Sequence, residues 1–409
     1  MSEVVNVKTV LNRTTFHKRD LDALLDPREP SWVKFDPEFG YVPSDFVMQD
    51  GMDDSWTTYR YESAGHRKLI NYADRPCRIN TFGDSYTQCQ QVSDGETWQE
   101  VLAAHIGEPI RNFGCGGQSV YFACKRAKRM DATDASAEYI ILNIFDDDHV
   151  RSLDACRWIR SAYINWWELA TPKVPIQLNG LPSAHVRYNL KKGRFEERAG
   201  VCPNEDALRA LCTPDRFYAT FKDDPIIKMF TIMMDGETDV EELEALAEAL
   251  EVEVDLRDPK KRKDDVRKLC DVYGFKASEF ILDDFKKWAA ENGRKLLILL
   301  TYYKFPVGRS ILKGEPRADQ CFIDYLDRNG FCYVDTAAKF AEDSKRYNVP
   351  FEQYEESFRV KPKGAAVFGH YTPVGNAFYA FTFKDEVVDW LDPKPPAYRG
   401  SPSVLGPDV

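Results

Sequence analysis

Apolar residues along the chain fall into two alternating rhythms. Residues 77–82 read as a short strand that stops at Gly83-Asp84-Ser85. Residues 139–145 (YIILNIF) are almost uninterruptedly apolar, as are residues 295–302 (KLLILLTY). Runs of this kind suit strands buried on both faces of a parallel sheet. Residues 109–113 and 331–335 read as two further short strands. Helical patterns stand between them. In residues 97–106, Trp98, Val101, Leu102 and Ile106 share one face, and residues 121–130, 320–328 and 375–391 also read as helices. The alternation predicts an α/β fold: a three-layer α/β/α sandwich around a central, mostly parallel sheet.

Three stretches break this rhythm. Residues 1–75 are loop-rich, punctuated by Pro27, Pro30, Pro37 and Pro43, and are expected to pack as a lead-in on the core. Residues 151–293 are long, charged and different in texture. They open with Trp158, Trp166 and Trp167 and end in helical patterns at 239–250, 264–273 and 278–292. They read as a largely helical insertion dividing a core made of residues 76–150 and 294–392. Residues 393–409 hold five prolines and read as a surface tail.

Composition narrows the function. With 409 residues, 43% of them hydrophobic, and 8 Trp, 20 Tyr and 25 Phe, the chain can bury a large core. A net charge of −11 argues against a general binder of nucleic acid or anionic membranes. The basic run at 260–263 is flanked by Asp258, Asp264 and Asp265 and reads as a solvated helix face. No run of about 18 apolar residues is present, so no membrane span is expected. The polar first 20 residues do not read as a signal peptide, and a cytoplasmic location is the expectation. Ten cysteines without a CxxC pair suggest buried, reduced thiols rather than a zinc site.

In doubly wound sheets, ligands bind at the carboxyl ends of the strands. Ser85 follows the first strand, where its hydroxyl could attack a carbonyl beside backbone N–H groups; the alternative is a turn or cap serine. Gly114, Gly116 and Gly117 follow the second strand. They allow close backbone approach, with the Gly117 N–H as an oxyanion donor, or they make a tight turn. His370, just before the last helix, could be a general base or a cap. Asp146-Asp147-Asp148-His149 has the donor types of a divalent metal site. Adjacent side chains in an extended segment alternate, however, so solvated acids with a loop cap are expected instead. No metal or cofactor is implied.

Together these loops resemble the SGNH (GDSL-type) hydrolase superfamily. Gly83-Asp84-Ser85 matches its first block and residues 112–117 its second. His370-Tyr-Thr-Pro-Val-Gly375 matches its terminal block, in which a glycine follows the histidine by five residues. Asp36-Pro37-Glu38-Phe39-Gly40-Tyr41 looks like the N-terminal segment of some larger bacterial members. The resemblance covers residues 76–150 and 294–391, and 30–75 loosely, but not the insertion. It implies a flavodoxin-like sheet, Ser85 as nucleophile, His370 as base and Gly117 in the oxyanion hole.

Two positions depart from the family. Its third block supplies an asparagine as oxyanion donor, and here that position falls on Asp147 or Asp148. A carboxylate there must be protonated to donate, or the role is lost. The family's aspartate three residues before the histidine is replaced by Val367. A backbone carbonyl, or remotely Asp335, would then have to orient His370. The resemblance implies a serine esterase that removes a small acyl group from a carbohydrate or related ester. The alternatives are an O-acyltransferase on the same site, and a catalytically degenerate relative that binds a glycan or a partner.

Overall fold

A computed structural model describes residues 5–164, 178–302, 307–361 and 369–399. Residue contacts divide the chain into two units. The first comprises Met1–Ser44, Gly117–Phe122 and Asp147–Asp284; the second comprises Asp45–Gly116, Ala123–Asp146 and Phe285–Val409.

The second unit holds a five-stranded sheet: β1 (Ile79–Phe82), β2 (Arg111–Asn112), β3 (Tyr139–Phe145), β4 (Lys295–Thr301) and β5 (Tyr333–Asp335). All neighbours are parallel, in the order β2-β1-β3-β4-β5. The mixed α/β fold and the parallel sheet are those the alternating pattern predicts. Every residue of β1 and β3 is buried, which is why neither strand alternates polar with apolar positions. On one face, Ile79, Tyr139, Ile141, Leu297 and Leu299 pack into a core completed by Trp98, Leu102, Tyr379, Phe383 and Val387. These side chains come from helices Trp98–Ile106 and Pro373–Trp390. Trp98 meets the rings of Tyr379 and Phe383 edge-on at 6.0 and 5.4 Å.

Two buried polar side chains of this unit tie distant segments together. Asn143, inside β3, accepts from the hydroxyls of Thr301 (2.5 Å) and Tyr379 (3.2 Å). Arg67 is almost inaccessible and ion-paired to Asp94 at 3.0 Å. The rest of its guanidinium donates to the carbonyls of Gln88, Cys89, Thr58 and Val92 at 2.8–3.1 Å. One side chain thus ties residues 58–67 to residues 88–94, the segment that follows Ser85.

The first unit combines helices with two hairpins, Val33–Asp36 with Gly40–Pro43 and His185–Asn189 with Arg194–Arg198. Residues 5–25, read as loop, contain helices Val7–Thr14 and Lys18–Leu25. Two turns each are too few for a periodic signal to stand out from the chain. Trp158 belongs to this core: its indole donates to the Thr14 carbonyl at 2.9 Å and its ring stacks on Phe16. Trp166 and Trp167 lie outside the described residues. The helices predicted at 264–273 and 278–292 are one helix, Arg262–Glu291. Gly274 does not end it. A Cβ there would stand 3.0 Å from the Val150 backbone nitrogen, so the glycine lets the helix run close past that segment.

Among the described residues no helix is long and apolar enough to cross a membrane. None of the ten cysteines is in a disulfide; six are buried, while Cys321 and Cys332 are exposed.

Replacing Arg67 by methionine leaves the Asp94 carboxylate and four carbonyls without their shared donor. The expected loss of stability is about 3–5 kcal/mol, read as a lower urea midpoint for the transition of the second unit.

Candidate functional site

In a sheet of order β2-β1-β3-β4-β5 the winding direction reverses between β1 and β3, and ligands bind at the carboxyl ends of that strand pair. In the second unit this places Gly83-Asp84-Ser85 after β1 and Asp146 after β3. Asp84 caps the one-turn helix Ser85–Gln88: one carboxylate oxygen accepts the Tyr86 N–H at 2.9 Å, and the other lies 3.3 Å from the Ser85 hydroxyl, which donates to it. The loop after β2 is stitched to this turn. The Cys115 N–H donates to the Gly83 carbonyl (3.0 Å) and the Gly116 N–H to Gln88 Oε1 (2.7 Å). The first and second sequence blocks are therefore brought together, by way of a glutamine the sequence did not single out.

His370 is delivered by an antiparallel pairing of the chain on either side of residues 362–368, which lie outside the described residues and include the Val367 position. The Val360 N–H donates to the His370 carbonyl (2.8 Å) and the Thr372 N–H to the Phe358 carbonyl (2.9 Å). Thr372 then caps helix Pro373–Trp390 by accepting the Gly375 N–H at 2.9 Å. A Cβ at Gly375 would lie 2.2 Å from the Phe358 carbonyl oxygen. The histidine-to-glycine spacing is thus the geometry of a cap with another strand pressed onto its first turn.

The His370 ring is buried 5.1 Å from the ring of Tyr86. Its Nδ1 lies 3.2 Å from Gln91 Oε1, which also accepts the His370 backbone N–H at 2.6 Å. Because the backbone donor identifies that atom as oxygen, Nδ1 is the protonated nitrogen and Nε2 the basic one. A neutral amide thus stands where the sequence offered no carboxylate. Asp335 is used elsewhere: it caps helix Thr336–Ser344 through the Ala338 N–H (2.9 Å) and pairs with Arg317. Among the described residues no hydrogen bond joins Ser85 to His370.

Arg359 completes this surrounding. It is buried, donates to the Tyr86 hydroxyl, pairs with Glu355 at 3.2 Å and lies over the Tyr371 ring. Burial pushes the Tyr86 phenol well above its ordinary range and raises the Glu355 carboxyl, against the lowering effect of Arg359. Water is scarce here, so charges act strongly. Gln88, Gln91, Tyr86 and Arg359 carried no signal in the sequence, since each acts through a partner distant along the chain.

The remaining candidates, Gly117, Asp147 and Asp148, belong to the first unit. Gly117 has φ +77°, with the Tyr41 hydroxyl and an Arg157 nitrogen lying where a Cβ would intrude. Asp147 and Asp148 are ion-paired to Arg151, at 2.8 and 2.7 Å. Carboxylates in such pairs accept hydrogen bonds and have none to donate. The expectation of solvated acids at 146–149 is corrected: Asp146, Asp148 and His149 are each 1% exposed. Arg151, one turn along the helix, supplies the charge that permits this burial of Asp148. His149 packs its ring 4.8 Å from Phe275 and sets Nδ1 2.8 Å from the Ser278 hydroxyl.

Burial depresses the His149 pKa to about 3. The unfolded chain, with an ordinary histidine, therefore binds a proton that the folded one refuses. This contribution to stability is full above pH 6.5 and is lost as the pH falls toward 3. Between pH 6.5 and 4.5 it amounts to about 2–3 kcal/mol. Comparing His149→Gln with the parent in urea titrations across that range is expected to show a shallower pH slope in the variant.

No model of a known protein family matches the chain, and no curated protein matches its sequence.

Proposed function

We propose that the chain is a serine esterase of SGNH type acting on small acyl esters of a carbohydrate or a related alcohol. The observation that carries this reading is the pairing of His370 Nδ1 with Gln91 Oε1. It leaves Nε2 as the base on the same unit as a serine that opens the helix after β1 of a doubly wound sheet. Ser85 would attack the acyl carbon, and His370 would take the hydroxyl proton and return it to the leaving alcohol. Water would then release the acyl group from the serine. A general base of this kind is worth about 10²–10⁴ in rate. An amide orients the imidazole but adds no negative charge against the imidazolium, so esters with good leaving groups are the matching substrates.

A second reading has its own support. The Ser85 hydroxyl donates to Asp84 and not to His370, which fits a site that binds its ligand without cleaving it.

Labelling with a fluorophosphonate, read by peptide mass spectrometry, separates the two. The esterase reading expects an adduct on Ser85 in the parent and none in Ser85→Ala. In His370→Ala the labelling rate falls by about 10²-fold or more, and in Gln91→Ala by about tenfold or more. Gln91→Glu, which restores a carboxylate beside Nδ1, is expected to label faster than Gln91→Ala. A folded parent that gives no Ser85 adduct, or one whose labelling ignores His370, overturns the esterase reading in favour of the binding relative.

A further inference from the structure

We propose that the first unit carries a binding crevice for a small oxyanion, the phosphate or carboxylate end of a ligand, centred on the guanidinium of Arg157. The crevice is lined by Tyr41, Gly117, Ser119, Arg151, Arg157 and Ser183, with room of about 10 Å³. That is the volume of one oxygen-sized group, so an oxyanion enters tip first.

The charges around it are allotted unevenly. Arg151 is committed to Asp147 and Asp148. Arg160 grips both oxygens of Asp154, at 2.9 and 2.6 Å, so the one carboxylate lining the crevice is already neutralised. Among the described residues the Arg157 side chain has neither an ion pair nor a hydrogen bond, and it is half-buried at the crevice. The hydroxyl of Ser119 accepts the Phe122 N–H at 3.1 Å and keeps its own proton to donate. The hydroxyl of Ser183 has no hydrogen bond among the described residues. The crevice therefore offers donors: a planar guanidinium fork and two hydroxyl groups. This is the complement of a phosphate or carboxylate.

Arg157 is also held in place. One of its nitrogens fills the space left by the missing Cβ of Gly117, whose φ of +77° suits glycine. Gly180 lies against its Cβ. The flanking backbone is strapped by hydrogen bonds from Trp158 N–H to the Gly180 carbonyl (2.8 Å) and from Ser183 N–H to the Ala155 carbonyl (3.1 Å). A guanidinium fixed before the ligand arrives loses little freedom on binding it. Burial, with Arg151 and Arg160 nearby, lowers the pKa of Arg157, against the raising effect of Tyr41 and Asp147.

The test uses the full chain in sodium phosphate, sodium acetate and sodium chloride at matched ionic strength. Thermal midpoints are read for the parent, Arg157→Gln and Ser183→Ala, with phosphate and acetate affinities from calorimetry. The proposal expects phosphate, acetate or both to raise the parent midpoint above that in chloride, in proportion to the logarithm of concentration. A response to phosphate alone identifies a phosphate ligand, and a response to acetate alone a carboxylate. Arg157→Gln is expected to weaken affinity by about tenfold or more and Ser183→Ala by a few-fold, both with the parent midpoint in chloride. The proposal is overturned if neither anion shifts the parent, or if the variants respond as the parent does. It is also overturned if Arg157→Gln unfolds or melts early in chloride, which would make Arg157 a structural cation.

Discussion

With β1 hydrogen-bonded along one edge and β4 along the other, strand β3 has no edge and no face in contact with water. That enclosure constrains the rest of the second unit. Strand β3 must therefore be apolar on both sides, and helices must cover both of its faces. Inside β3 the polar residue is Asn143, whose side-chain oxygen accepts from the hydroxyls of Thr301 and Tyr379 while its Nδ2 has no hydrogen-bond partner among the described residues. Gly83-Asp84-Ser85 and Asp146 follow β1 and β3, where the winding reverses.

Buried charge follows the same rule in both units, and the arginines show it. Arg67 uses its guanidinium on Asp94 and four carbonyls. Arg151 holds two successive aspartates, Arg160 a third, and Arg359 a phenol and a glutamate. Removing a charge from water is costly unless a partner and hydrogen bonds replace the lost hydration. Against that background Arg157 is the departure, and the hydroxyl-lined crevice beside it gives the departure a chemical sense.

The surroundings of His370 show how one role can be filled by different chemistry. An orienting partner must accept a proton from Nδ1, and any well-placed oxygen can do so. A carboxylate would also stabilise the positive charge that develops on the ring; the Gln91 amide supplies direction alone.

Much of the second unit was legible in the sequence because its signals are local. Apolar runs of seven residues, Thr97 before a helix and glycines after strands each announce an element within a few positions. The short helices of residues 5–25 and the unbroken helix Arg262–Glu291 were not legible, the first for want of length and the second because a glycine spared for packing looks like a stop. Ser85 and His370 could be placed on their loops from sequence, but not the groups that orient them. Gln91 and His370 stand 279 residues apart, and Arg67 and Asp94 stand 27 apart. The sequence by itself determined where strands, turns and candidate nucleophile would lie, since those follow from neighbours along the chain. Which carboxylates are ion-paired, which amide orients the histidine and which arginine makes no ion pair among the described residues were decided by the tertiary structure, because such partners meet only when distant segments fold onto one another.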